Sequence, residues 1–143
     1  MSPQLNICAD QISLPISCVA PPLYGRRRLP RVLSIEREAR LLAAHAKALT
    51  AIGCIVRSAL PLEVSQLVIS DFYRAAVFGH TLLDAETAEL AVHARVANPS
   101  TKLLLLVGSD HRPTFVEALF DAVVLTSDGP EALTRSVSKL LAG

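Results

Sequence analysis

The chain has few aromatic residues and no tryptophan: its 143 residues include four Phe and two Tyr. Since 51% of the residues are hydrophobic, the chain can still bury a core and is not of the disordered class. That core must be built from Leu, Val, Ile and Ala. Such a composition is typical of parallel strands that helices cover on both faces.

Cysteine is also scarce, with Cys8, Cys18 and Cys54 as the three examples. They form no CxxC pair, and their odd number argues against a disulfide framework. We expect reduced thiols in a cytoplasmic protein, with no metal site built on cysteine.

Long apolar runs and an excess of either charge are absent as well. No stretch approaches the roughly 20 residues that span a bilayer, and the N-terminus lacks the basic start of a signal peptide. The formal net charge of +1 gives no argument for nucleic acid. We therefore expect no membrane or nucleic-acid partner and a cytoplasmic location.

Residues 1–30 differ from the rest, because they contain five of the nine prolines and show no periodicity. We expect a flexible N-terminal arm there. It ends in the basic run 26–28, which could contact a phosphate or an acidic partner but is more simply a solvated charge cluster. Residues 31–143 form the folded domain in this interpretation.

From residue 31 onward, short apolar strands alternate with amphipathic helices. The predicted strands are Val32–Ile35, Cys54–Arg57, Phe72–Phe78, Leu103–Val107 and Ala122–Leu125. The predicted helices are Glu36–Ile52, Leu62–Ile69, Asp84–Val96, Pro113–Leu119 and a last one opened by Pro130. Alternation of this kind predicts an α/β fold of the flavodoxin-like, doubly wound type, with a five-stranded parallel sheet of order 2-1-3-4-5.

In such sheets, function lies where the strands end at their carboxyl edge. Four sequence segments that lead to this edge resemble the receiver domain of two-component response regulators. They are Arg31-Val-Leu-Ser-Ile-Glu-Arg-Glu, Phe72-Tyr-Arg-Ala-Ala-Val-Phe-Gly-His-Thr-Leu, Leu103–Gly108, and Phe120-Asp-Ala-Val-Val-Leu-Thr-Ser-Asp-Gly-Pro-Glu-Ala-Leu. The resemblance covers residues 31–142 and implies a part in two-component signal transduction or a phosphorelay.

The positions that carry phosphorylation in this family have changed. By the resemblance, the acidic pair is Glu36 and Arg37, and the phosphoacceptor aspartate is Gly79. The remaining equivalents are a strand-4 hydroxyl replaced by Val107, a lysine replaced by Thr126 and a proline replaced by Ser127. The chain is thus similar to a pseudo-receiver that is neither phosphorylated nor an enzyme and needs no cofactor. Its expected role is phosphorylation-independent signalling through protein–protein interaction.

Other interpretations of the same edge remain open. A shift of one residue would bring His80 to the acceptor position. Glu36, His80, Asp110 and His111 could share one crevice and hold a metal, or Arg37 and Arg112 could hold an anion. Polar rim residues are the simpler explanation in each case, because no known ligand spacing is present. Asp84 is expected to cap the third helix, and Glu86 to be an exposed residue with no special role.

The resemblance also predicts where a partner binds. Receivers act through the face formed by the fourth helix, the fifth strand and the last helix, here about residues 112–141. We expect a protein partner to bind there, and this partner could be a second copy of the chain, which would give a homodimer. The alternative is a sensor of a small ligand or a metal that uses the space left by the missing aspartate. An enzyme of unrecognised chemistry ranks last.

Overall fold

The structure, a computed structural model, describes residues 29–110 and 115–143. The predicted arm lies outside these residues except for its last two, and His111 and Arg112 lie outside them as well. The described strands are β1 (Arg31–Ile35), β2 (Ile55–Ala59), β3 (Ala75–Phe78), β4 (Lys102–Val107) and β5 (Ala122–Leu125). The described α-helices are α1 (Ala39–Ala51), α2 (Val64–Ser70), α3 (Asp84–Ala97) and α4 (Pro130–Ala142).

The five strands form one parallel sheet in the order β2-β1-β3-β4-β5, which confirms the predicted fold. The register aligns Ile35 of β1 with Phe78 of β3, and Phe78 with Leu105 of β4. Since every strand runs in the same direction, the residues that follow them converge at one carboxyl edge. The side chains to be tested for function therefore lie together.

Successive strand residues point to opposite faces of the sheet, so their side chains pack into two hydrophobic cores, one on each face. On one face Leu33, Ala76 and Leu103 pack with α3 and the segment before β5. On the other face, Val32, Ala75 and Leu104 pack with α1 and α4. The sheet is therefore covered on both faces, as its continuous apolar strands predict.

The fourth helix is where prediction and structure differ most. A helix from Pro113 to Leu119 was expected, but the described part of that segment is a 3-10 helix over Phe115–Leu119. Phe120 follows it at once and packs edge-on against Phe78, with ring centroids 5.0 Å apart. A 3-10 helix rises further per residue than an α-helix, so it suits a short return to the sheet.

Two glycines fix the ends of helices. Gly53 follows α1 with φ +93°, the left-handed conformation that commonly terminates helices. Gly129 has φ +85° and precedes Pro130, the first residue of α4. The predicted cap at Asp84 is wrong: Leu83 flanks α3, and Asp84 is its first helical residue.

Candidate functional site

The carboxyl edge brings together the residues that the sequence singled out. Glu36 directly follows β1, Gly79 follows β3, and Thr126 with Ser127 follows β5, while Val107 is the last residue of β4. Backbone hydrogen bonds hold the first two in place: the Gly79 N–H donates to the Ile35 carbonyl at 2.8 Å, and the Glu36 N–H donates to the Ala59 carbonyl at 3.3 Å. Glu36 and Gly79 therefore sit side by side.

The Glu36 side chain occupies the space in front of Gly79. Glu36 is completely buried, with 0% of its surface exposed. A Cβ atom added at Gly79 would overlap the Glu36 carboxyl group, and the three atoms nearest to it all belong to that carboxyl. The Glu36 carboxyl therefore fills the space directly in front of Gly79, where a side chain at this position would begin.

The buried carboxyl is incompletely hydrogen-bonded. Its Oε1 accepts a hydrogen bond from the Arg37 N–H at 3.1 Å, whereas Oε2 has no partner among the described residues. Burial raises the pKa of Glu36 above its ordinary value, against the opposing effects of the Arg37 N–H and the nearby His80. Burial thus makes the charged form of this carboxyl less favourable than that of an exposed glutamate.

Arg37 turns away from the crevice toward α3. Its guanidinium donates two hydrogen bonds to Glu86, from Nε to Oε1 at 3.1 Å and from a terminal nitrogen to Oε2 at 3.0 Å. Its backbone N–H also lies 3.3 Å from the Thr81 hydroxyl oxygen. The loop after β1 is thereby tied to the loop and first turn that follow β3.

Glu86 makes contacts at this edge that the sequence interpretation did not predict, since it was expected to be exposed and without a special role. Besides holding Arg37, its Oε1 accepts a hydrogen bond from the Leu83 N–H at 3.4 Å. A glutamate in the third position of a helix is the known partner of that N–H, so this bond had a sequence signal. The pairing with Arg37 had none, because 49 residues separate the two along the chain.

We expect Arg37→Ala to lower the free energy of unfolding by no more than about 1 kcal/mol, because the Arg37 side chain is 48% exposed and solvent weakens such pairs. Urea unfolding of the variant beside Glu86→Ala and the double variant measures the coupling. A decrease in the free energy of unfolding well above about 1 kcal/mol would contradict this expectation and would show that the pair is needed to hold the loops of this edge in place.

The metal crevice that was considered as an alternative is not assembled by the described residues. Glu36 is buried, His80 and Asp110 are exposed, and nowhere in residues 29–110 and 115–143 do three potential metal-binding side chains cluster. A small cavity of about 120 Å³ does lie beside Gly79 and Gly108, bordered by Asp84. His111 and Arg112, the other residues considered as candidates for holding a metal or an anion, lie outside the described residues.

Solved structures with this fold are numerous among receivers. A response regulator receiver domain protein (CheY-like) from Methanospirillum hungatei has a TM-score of 0.71 and 21% identity, over 80% of this chain and 95% of its own. Response regulator TrrA from Thermotoga maritima, in complex with Mg²⁺-BeF, has a TM-score of 0.70 and 21% identity, over 78% and 99%. A putative pilus assembly protein (cpaE) from Burkholderia thailandensis has a TM-score of 0.66 and 17% identity, over 80% and 100%.

No protein-family model and no curated protein sequence matches the chain. The structural matches confirm the resemblance at the level of the fold: the chain has the fold of response regulator receiver domains. No helix in the described part of the chain combines the length and the apolar character needed to cross a bilayer.

Proposed function

We propose that this chain is a pseudo-receiver, which acts in a two-component-type pathway without being phosphorylated and without catalysing a reaction. The observation that carries this proposal is the contact between Glu36 and Gly79. A receiver needs an aspartate at the position of Gly79, and here that space holds the carboxyl group of another residue.

Phosphoryl transfer to a carboxylate requires three parts, and each is missing or altered at this edge. Gly79 supplies no nucleophile. Magnesium needs ionised oxygen ligands, whereas the one carboxyl of the former acidic pair, that of Glu36, is buried with a raised pKa. Thr126 carries no charge that could stabilise a transferring phosphoryl group. The Arg37 cation is already neutralised by Glu86.

A protein partner fits the surface near β5. Val123 and Leu125 alternate along this edge strand on one side of the sheet, and each is 42% exposed. Phe115, in the 3-10 helix that replaces the fourth helix, is 76% exposed. Exposed apolar residues on neighbouring elements are a feature of interaction surfaces. We assign this face, with α4, as the contact region for a protein partner or a second copy.

The comparisons support such a role by analogy. TrrA has also been solved in complex with the histidine kinase ThkA, so that protein binds a protein partner. Another protein with this fold carries a pilus assembly name instead of a regulator name. A module that works by contact alone is consistent with both.

Beryllofluoride, a mimic of the bound phosphoryl group, tests the proposal. Amide NMR spectra of the full chain with Mg²⁺ and beryllofluoride are expected to match the spectrum without them, because the acceptor carboxylate is absent. TrrA is the positive control, since its structure contains Mg²⁺-BeF. Saturable shifts of the Gly79 and Gly108 amides would contradict the proposal.

A further inference from the structure

The two ends of the folded domain carry opposite charges. We define the amino rim as the end where the strands begin and the helices finish, and the carboxyl rim as the other end. On the amino rim the described cations are Arg31, Arg74, Arg95, Lys102 and Lys139, and the described acids are Asp71 and Asp121. Positive charge dominates this rim.

The carboxyl rim has the reverse balance. Its described cations are Arg37 and Arg40. Apart from buried Glu36, its described acids are Glu38, Glu63, Asp84, Glu86, Asp110, Asp128 and Glu131. The described residues therefore form a dipolar surface, although the net charge of the whole chain is only +1.

Ion pairs within the domain leave charge of one sign on each rim. On the amino rim, Arg31 pairs with Asp71 at 3.5 Å and Arg95 pairs with Asp121 at 3.0 Å, so both acids are used. Among the described residues no carboxylate forms an ion pair with the remaining three cations, Arg74, Lys102 and Lys139.

On the carboxyl rim, the two cations are taken by Glu86 and Glu38, the latter 3.8 Å from Arg40. Five acids of this rim form no ion pair within the described residues. They are Glu63, Asp84, Asp110, Asp128 and Glu131, and all five are exposed.

Helix dipoles account for only part of this pattern. Acids in the first helical turn and cations in the last turn are favourable, which explains Asp84, Glu131 and Lys139. Arg74 precedes β3, and its guanidinium donates a hydrogen bond to the Leu141 carbonyl in the last turn of α4 at 2.9 Å, which is again favourable to the helix dipole. Lys102 begins β4, at no helix end, and its N–H donates to the Arg74 carbonyl at 3.0 Å. Neither cation has a carboxylate partner among the described residues, so an acidic surface would add an interaction that the domain itself lacks.

We propose that this protein self-associates head to tail, with the amino rim of one copy against the carboxyl rim of the next. A second copy is favoured over nucleic acid because the complementary acidic surface is present on the same chain, whereas Asp71 and Asp121 interrupt the amino rim. This contact joins two different surfaces, so it builds open chains or rings rather than a closed pair. It is independent of the pseudo-receiver proposal, which concerns phosphorylation and the face near β5.

Sedimentation velocity of the full chain at two salt concentrations tests the contact. At about 0.01 M salt, where charges act over about 30 Å, the weight-average sedimentation coefficient should rise with protein concentration. At about 1 M salt, where they act over about 3 Å, it should fall to the monomer value. A monomer at both salts, or association unchanged by salt, would overturn the proposal.

Charge reversals identify the two rims. Arg74→Glu with Lys139→Glu makes the amino rim acidic, and Asp110→Lys with Asp128→Lys makes the carboxyl rim more basic. Either double variant alone should weaken self-association at low salt by more than about tenfold, because like charges then face each other. Circular dichroism confirms that each variant is folded.

An equimolar mixture of the two double variants should associate again, because each supplies the surface that the other has lost. Lys47→Glu with Arg135→Glu changes the net charge as much as the amino-rim variant does, but lies on the sides of α1 and α4. It should retain association. If each double variant still self-associates on its own, or if their mixture stays monomeric, the two rims do not form the contact.

Discussion

Replacing Gly79 by alanine is expected to lower the free energy of unfolding by about 1–3 kcal/mol, the usual cost of overpacking a buried site. The added methyl group would overlap the Glu36 carboxyl and force it out of its buried position. Gly79 does not have the left-handed backbone that excludes alanine, so the cost comes from this one side chain. Urea unfolding followed by circular dichroism measures it.

A double-mutant cycle separates this contact from other effects of alanine. Glu36→Ala with Gly79→Ala should recover most of the stability that Gly79→Ala loses, because the obstructing carboxyl is gone. Gly108→Ala is the matched control: the atom nearest to its new Cβ is a carboxylate oxygen of exposed Asp110, at 3.1 Å. It should cost clearly less. Equal losses at Gly79 and Gly108, with no recovery in the double variant, would exclude the Glu36–Gly79 contact.

The second large effect is a dependence of stability on pH that Glu36 produces. Burial raises its pKa in the folded state above the ordinary value of 4.5. Between those two values the folded protein binds more protons than the unfolded chain. The contribution of Glu36 to stability is therefore fully present below pH 4.5 and is lost as pH rises through the folded-state pKa.

Glu36→Gln should remove this loss, since the amide has no proton to release in that range. The stability of the variant relative to the wild type should therefore increase as pH rises, when both are unfolded in urea across the acidic and neutral range. His45 acts in the opposite direction, because burial lowers its pKa, but it is present in both proteins and cancels in the difference. A difference that does not vary with pH would show that Glu36 titrates normally.

The sequence was sufficient for the fold because its signals were local and consistent. An apolar run as short as Leu103–Val107 is typical of a buried strand, and β5 has the bounds that were predicted. Besides the fourth helix, the errors lie at the starts of elements: α1 begins at Ala39 and not at Glu36, and β3 begins at Ala75 and not at Phe72. The helical pattern of apolar residues cannot show that Glu36 lies before the helix, with its side chain buried at the edge of the sheet.

The site was predictable as a set of positions but not as a set of contacts. The position after each strand follows from the alternation of strands and helices, so Glu36 and Gly79 could be placed at one edge. The sequence does not show that the Glu36 side chain fills the space in front of Gly79, because this depends on how a side chain after one strand is oriented toward the neighbouring strand. The Arg37–Glu86 pair is equally invisible in sequence, because it joins segments 49 residues apart.

Incubation of the full chain with radiolabelled acetyl phosphate and Mg²⁺ tests the central claim most directly. The protein should take up no stable label, while a phosphorylatable receiver treated alongside it becomes labelled. Label on an aspartate or on His80 would contradict the account, because it would show that this edge still accepts a phosphoryl group.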